Sequence, residues 1–361
     1  MEIYYYHLIN ELSKKENVVL FTNCKNYKIK NCKILHVTSK IFFIRKFNLG
    51  NISLFITTFL QLIIHHRKIS VIHLPCTSNS GFYGYFFPLV SKIFVITYII
   101  QFHGGGMRPW KKYDGNKWLF KYASKIIGVS DTIKNEYEKR SNREIEVVLP
   151  LVPYKSSDKS KSDLKQQYGF SDDDQVIIMV GSVKPLKGNI WIYREFKSIE
   201  KDWLVKNKIK LLFVGKGSDS EKLSVMIKND NMDDIVFLND HVPNEQIHEI
   251  YNLATLYVMG SDFEGTPKSL IEALFHGLPI VATDVDGINL IINKNENGLL
   301  VQKNNNGEMA SAIRKLIENP DLALELGEKA KETYSAKFNF QQVVNRLNEI
   351  YQETATTITI K

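Results

Sequence analysis

Phe263-Glu264-Gly265-Thr266-Pro267-Lys268-Ser269-Leu270-Ile271-Glu272-Ala273, closed by Gly277-Leu278-Pro279-Ile280-Val281-Ala282-Thr283, sets two carboxylates, a helix start and a strand into one compact unit. Pro267 suits the first turn of a helix, where its missing N–H costs nothing, and Gly277 suits the position just past a helix end. Residues 268–276 therefore read as a short helix. Leu278 to Thr283, apolar and rich in β-formers, reads as a buried strand. Glu264 then falls in the loop before the helix and Glu272 within it. At about 1.5 Å rise per residue, Glu272 lies roughly 7 Å along the axis from Pro267.

That separation suits a ligand with an anionic group at the helix N-terminus, where free N–H groups and the dipole favour negative charge, and a hydroxyl-bearing group further along. A nucleotide diphosphate sugar has this form. The whole context, Glu-Gly-x-Pro-x-Ser-Leu-x-Glu-Ala followed by Gly-x-Pro-x-Val-Ala-Thr, resembles the paired-glutamate signature of retaining GT-B glycosyltransferases of family 4. An isolated pair of glutamates would read instead as the solvated face of an amphipathic helix. The resemblance implies an α/β chain with the GT-B fold, two Rossmann-like parallel-sheet domains facing a central cleft. It also implies roles. Glu264 would contact donor-sugar hydroxyls and Glu272 the ribose hydroxyls, with Gly265, Thr266, Pro267, Lys268 and Ser269 beside the donor.

The same half of the chain carries Val180-Gly181-Ser182-Val183-Lys184-Pro185-Leu186-Lys187-Gly188, which resembles the family's strand and phosphate loop. Lys187 takes the lysine position, where an ammonium held in place stabilises charge building on a departing diphosphate. Ser182 stands where the family has arginine. Either Lys184 compensates, or Lys187, loop N–H groups and a helix N-terminus hold the phosphates alone. Gly181 and, in Val214-Gly215-Lys216-Gly217, Gly215 look like the family's strand-end glycines.

In the first half, Phe102-His103-Gly104-Gly105 follows a buried strand and resembles the family's His-Gly loop. Ligands bind outside the carboxyl ends of parallel strands, so His103 is a candidate for a hydrogen bond to a sugar hydroxyl. Ser130 would line the cleft or cap the next helix, capping being the simpler reading. The remaining histidines, including His65, His66 and His73 near Cys76, lack a metal-ligand set, and neither metal nor cofactor is expected.

Strands and helices alternate along both halves, the pattern of parallel α/β sheets. The first half predicts strands at Val18 to Thr22, Ile34 to Thr38, Val71 to Leu74, Val95 to Gln101, Lys125 to Val129 and Glu146 to Leu149. The second predicts Gln175 to Val180, Lys210 to Val214, Ile235 to Leu238, Leu256 to Met259, Pro279 to Thr283 and Gly298 to Val301. Pro150, Pro153 and the polar run Lys155 to Asp163 mark a linker. The expected domains are 1–155, for the acceptor, and 156–339, for the nucleotide sugar. A terminal helix over 340–353 resembles the family's last helix, which crosses back to the first domain. Met1 to Leu8 looks like the helix that follows the family's first strand and glycine loop, so that strand is expected to be missing, either because the true start lies upstream of Met1 or because the first sheet lacks it.

Residues 1–150 hold 22 Lys and Arg against 9 Asp and Glu, and residues 151–361 hold 25 against 30. A net charge of +8 is thus concentrated in the first half, which is expected to meet something anionic. Lys40 to Lys46, an apolar cluster bracketed by positive charge, and Arg108 to Lys125 are the candidate contacts. Solvated lysines on an ordinary helix or loop remain the alternative. No nucleic-acid-binding motif accompanies the charge, so nucleic acid is not expected. The apolar run Gly81 to Phe102 is interrupted by Pro88, Ser91 and Lys92, and reads as a buried helix and a strand rather than a membrane span. Cys24, Cys32 and Cys76 form neither an even set nor a Cys-x-x-Cys pair, which favours a reducing compartment.

Together these readings predict sugar transfer from a nucleotide donor, UDP before GDP, to a hydroxyl of a glycan or polyprenyl-diphosphate-linked acceptor in bacterial surface polysaccharide (O-antigen or capsule) assembly. The expected place is the cytoplasm, at the inner face of an anionic membrane. The departures at Ser182 and at the chain start leave a second reading, a catalytically weak paralogue that binds a nucleotide sugar or a partner.

Overall fold

The structure, a computed structural model, describes residues 8–14, 17–22, 29–36, 50–76, 83–103, 115–149, 157–240 and 242–356. Cys24, the Lys40 to Lys46 segment, Gly104 and Gly105, residues 108–114 and the linker residues Pro150, Pro153 and Lys155 lie outside them, as does the start of the chain. The chain divides into two compact units, Met1–Pro153 with Phe340–Lys361, and Tyr154–Asn339.

In the first unit β1 (Val18–Thr22) and β2 (Cys32–His36) form a parallel pair, and β3 (Val71–Cys76), β4 (Thr97–Phe102), β5 (Lys125–Gly128) and β6 (Glu146–Val147) form a parallel sheet in that order. A strand covered on both faces needs apolar residues at odd and even positions alike. β4 shows this: Tyr98, Ile100 and Phe102 join a core with Leu62, Phe86, Phe87, Val90, Leu119 and Phe120, contributed by helices Gly50–His65, Tyr83–Phe94 and Gly115–Tyr122. Ile99 and Ile127 project into a second core with Val343, Val344, Leu347 and Ile350 of helix Phe340–Thr356. That helix is further tied to this unit by His73 Nδ1 and Tyr351 Oη, 2.5 Å apart, and by Arg346 Nε donating to Glu146 Oε1 at 2.6 Å.

Two readings of the apolar run change. β4 begins at Thr97 rather than Val95, because Val95 turns the chain at φ 54 between helix and strand. Helix Tyr83–Phe94 is not buried all round: it packs Phe86, Phe87 and Val90 inward but presents Tyr85, Leu89 and Ile93 to solvent.

The second unit is built on six parallel strands, β7 (Gln175–Val180), β8 (Ile209–Val214), β9 (Val236–Asn239), β10 (Leu256–Met259), β11 (Ile280–Thr283) and β12 (Leu299–Val301). Their order is β12-β11-β10-β7-β8-β9. The chain moves outward from β7 through β8 to β9, then returns to the other side of β7 and moves outward again. The reversal lies between β7 and β10, and in open parallel α/β sheets ligands bind outside the carboxyl ends of the strands at such a point. One face is packed by Ile192, Tyr193 and Phe196, Leu223 and Ile227, and Met309 and Ile313.

Candidate donor site at the strand switch point

β7 is followed by Gly181, whose N–H donates to Val214 O. The chain continues through Ser182, Lys184 and a 3-10 turn, Pro185–Lys187, into helix Asn189–Lys197. Gly215, at the end of β8, packs so closely on Gly181 that a Cβ there would lie 2.1 Å from the Gly181 oxygen. Gly188 does the same on the other side of β7: at φ +73, its ideal Cβ would fall 1.9 Å from Gly260 O, just past the end of β10. A side chain at 188 is therefore excluded both by backbone conformation and by space. That approach carries the 3-10 turn, and Lys187 at its end, onto the chain leaving β10.

There Lys187 meets Glu264. Lys187 Nζ donates to Glu264 Oε1 at 2.6 Å, and Ser261 Oγ donates to the same oxygen at 2.6 Å. Ser261 is held in turn, because Thr283 Oγ1 at the end of β11 donates to Ser261 O at 2.7 Å. Glu264 is buried and its N–H donates to Asp286 O, while Lys187 keeps part of its side chain in solvent. A buried carboxylate with two charge-assisted or hydroxyl partners is fixed in orientation.

Glu264 leads through Gly265 and Thr266 to helix Lys268–Phe275, with Pro267 at its N-cap in extended conformation rather than in its first turn. Proline offers no side-chain acceptor, so no side chain caps this helix start. The first-turn N–H groups and the dipole are thereby suited to an anion. Helix Asn189–Lys197, entered from Gly188, has no side-chain cap either.

Glu272, one turn along, is partly buried. Tyr251 Oη donates to Glu272 Oε2 at 2.7 Å, and Tyr257 Oη donates to Ser269 Oγ at 2.9 Å. Burial pushes the Glu272 carboxyl up to about 7, against the lowering influence of the Tyr251 hydrogen bond and the Lys268 charge. Burial likewise lowers the Lys268 ammonium, opposed by Glu272.

The switch point thus gathers Gly181, Ser182, Lys184, Lys187, Gly215, Glu264, Gly265, Thr266, Pro267, Lys268, Ser269 and Glu272 on the loops and one helix of a single unit. Lys184 is exposed. His103 belongs to the first unit, at the carboxyl end of β4, where its N–H donates to Cys76 O at 3.0 Å. Ser130 caps helix Asp131–Ser141 by accepting from the Ile133 N–H. The residues missed in the sequence are Ser261 and Tyr251, which orient the two glutamates. Ser261 stands three residues before Glu264, a spacing visible in the sequence, whereas Tyr251 carries no local signal.

Comparison with known proteins points the same way. The family model described as glycosyl transferases group 1 matches residues 160–333. An uncharacterised glycosyltransferase of Methanocaldococcus jannaschii is 27% identical over 296 residues, covering 81% of this chain and 77% of that protein. The putative teichuronic acid biosynthesis glycosyltransferase TuaC of Bacillus subtilis is 26% identical over 279 residues, 74% of this chain and 67% of its own length. Among solved structures, Anabaena HepE in complex with UDP-glucose superposes with a TM-score of 0.76 at 16% identity, over 98% of this chain and 95% of that one.

Proposed function

We propose, from the premise that this chain belongs to the glycosyl transferases group 1 family and is a glycosyltransferase with the GT-B fold, that it moves a sugar from a UDP-sugar, or less readily a GDP-sugar, to a hydroxyl of a glycan or lipid-linked acceptor. The observation that carries this reading is the switch-point cluster: a lysine and a carboxylate in contact, two uncapped helix starts, and a second carboxylate one turn into the helix. Lys187 and the helix N–H groups supply positive charge where a diphosphate leaves. Glu264 accepts hydrogen bonds from donor-sugar hydroxyls, and Glu272 accepts them from ribose.

In the proposed reaction the bond from the anomeric carbon to the diphosphate oxygen breaks, with its electron pair leaving on that oxygen. The acceptor hydroxyl oxygen bonds the same carbon and gives its proton to the departing phosphate oxygen. Attack from the leaving-group side retains configuration and needs no side-chain nucleophile, so both glutamates bind rather than attack. The preference for UDP draws on the UDP-glucose bound by the structural relative, and the surface-polysaccharide setting on the teichuronic acid relative. The basic first half favours an acceptor displayed at the cytoplasmic face of an anionic membrane.

The experiment is release of nucleoside diphosphate from a panel of UDP and GDP sugars by the purified chain, with and without a lipid-linked acceptor extract. Acceptor-dependent release from one donor is the expected result. Binding without release from any donor, with every acceptor, would overturn the reading.

A further inference from the structure

Three neighbouring helices of the first unit carry apolar side chains on the side away from their core. Helix Gly50–His65 buries Leu62 inward yet presents Ile56, Leu60 and Ile64 outward. Helix Tyr83–Phe94 presents Leu89 and Ile93, and helix Gly115–Tyr122 presents Trp118; all six are between 46% and 69% exposed. The spacings 56, 60, 64 and 89, 93 place each set on one stripe of its helix. The helices are contiguous: Phe59 meets Phe86 and Phe94 at ring-centroid distances of 6.2 and 5.7 Å, and Lys92 lies 5.2 Å from the centre of the Tyr122 ring. Val95, a β-branched residue in left-handed conformation, is 70% exposed directly after the second helix. Single exposed apolar residues are ordinary, but stripes on two adjoining helices, with Trp118 on a third, mark a surface that something covers.

The charge of the sequence that carries these stripes selects the occupant. From Asn17 to Ser130 the sequence holds sixteen Lys and Arg and one acidic residue, Asp114. The three helices contain no Asp or Glu. Lys92 and Lys121 flank Tyr122, whose ring lies 5.7 Å from that of Trp118. Among the described residues no helix is long and apolar enough to cross a membrane. Apolar stripes with aromatic and lysine side chains beside them, and no acid, suit an anionic lipid surface met side-on: the aliphatic side chains enter the acyl boundary, Trp118 sits at headgroup depth, and the lysines meet phosphate.

We propose that the outward face of helices Gly50–His65, Tyr83–Phe94 and Gly115–Tyr122 is a monotopic docking surface for an anionic bilayer. This rests on the transferase reading only in purpose, since it would bring the enzyme to a lipid-linked acceptor; vesicle binding itself requires no turnover.

The test is co-sedimentation of the full chain with vesicles of phosphatidylcholine alone or with phosphatidylglycerol added. Binding is expected to the mixed vesicles, to fall with added salt as surface electrostatics are screened, and to drop at least about tenfold in the double variant Leu60→Asp, Leu89→Asp. Lys92→Glu with Lys121→Glu is expected to abolish the preference for phosphatidylglycerol. Release of nucleoside diphosphate on sugar transfer to a soluble acceptor should be unchanged in all these variants, which separates failure of docking from failure of the transferase reading. Equal sedimentation of wild type and both double variants overturns the proposal. So does a concentration-dependent dimer, abolished by Leu60→Asp with Leu89→Asp and accompanied by no vesicle binding, which would assign the face to a second copy of the chain.

Discussion

Lys187 Nζ and Glu264 Oε1 stand 2.6 Å apart, so the cation expected at the leaving diphosphate and the carboxylate expected at the sugar hydroxyls hold one another. Each therefore orients the other as well as any ligand. Glu264→Gln should lower kcat by about 10²-fold or more with a smaller change in nucleotide affinity, as removal of a group used mainly in the transition state does. Lys187→Met should lower kcat similarly. The double variant should be far from additive, because the two act as a unit. Steady-state kinetics of the four proteins check this, and strict additivity would mean that the two side chains act on turnover independently.

Glu272 yields a pH dependence with a definite sign. Its carboxyl is raised from 4.5 to about 7, so the folded chain holds a proton that the unfolded chain has lost between those values. Stability should therefore decline as pH rises from 4.5 toward 7, and the ionised form proposed to accept ribose hydroxyls should fill over the upper part of that range. UDP affinity measured by calorimetry should rise through about pH 7 in the wild type and be weak and flat in Glu272→Ala. Tyr251→Phe removes the hydrogen bond that lowers this carboxyl, and should move the affinity profile to higher pH.

Gly188→Ala tests the close approach that positions Lys187. The new Cβ meets Gly260 O and the backbone is left-handed, whereas at Gly307, with φ +81, a Cβ meets nothing within 4 Å. Gly307→Ala should cost about 1 kcal/mol from conformation alone, and Gly188→Ala distinctly more. Urea unfolding of both variants gives the comparison. Activity should fall only in Gly188→Ala.

Leu347, fully buried in helix Phe340–Thr356 against Ile99 and Ile127, tests that helix as part of the first unit. Leu347→Ala should cost about 2–5 kcal/mol. The loss should appear as earlier exchange of amide protons in β4 and β5 but not in β7 or β8. Uniform loss of protection in both units would contradict that assignment.

How much of this was legible follows from what each feature depends on. Strands such as Ile177 to Met179 and Tyr98 to Phe102 are covered on both faces and read as unbroken apolar runs, so the parallel sheets stood out. Their ends were less visible, because a residue such as Val95 is β-prone by chemistry and turns only because the helix before it must stop. The glutamate pair was legible through local context. Its supports were not: Tyr251 reaches Glu272 and Thr283 fixes Ser261 only after the strands are paired. The outward stripe of helix Tyr83–Phe94 was misread as core, since a helix apolar on every side gives no periodic signal of which side the sheet will take.

The return of helix Phe340–Thr356 to the first unit also sets an order of events during synthesis. Residues 154–339 are contiguous and can complete their six-stranded sheet as they leave the ribosome. The basic first unit, although made earlier, waits for its last helix: Ile99 and Ile127 lack their cover and His73 lacks Tyr351 until residues 340–356 emerge. The contiguous unit thus matures first, and the unit begun first is finished last.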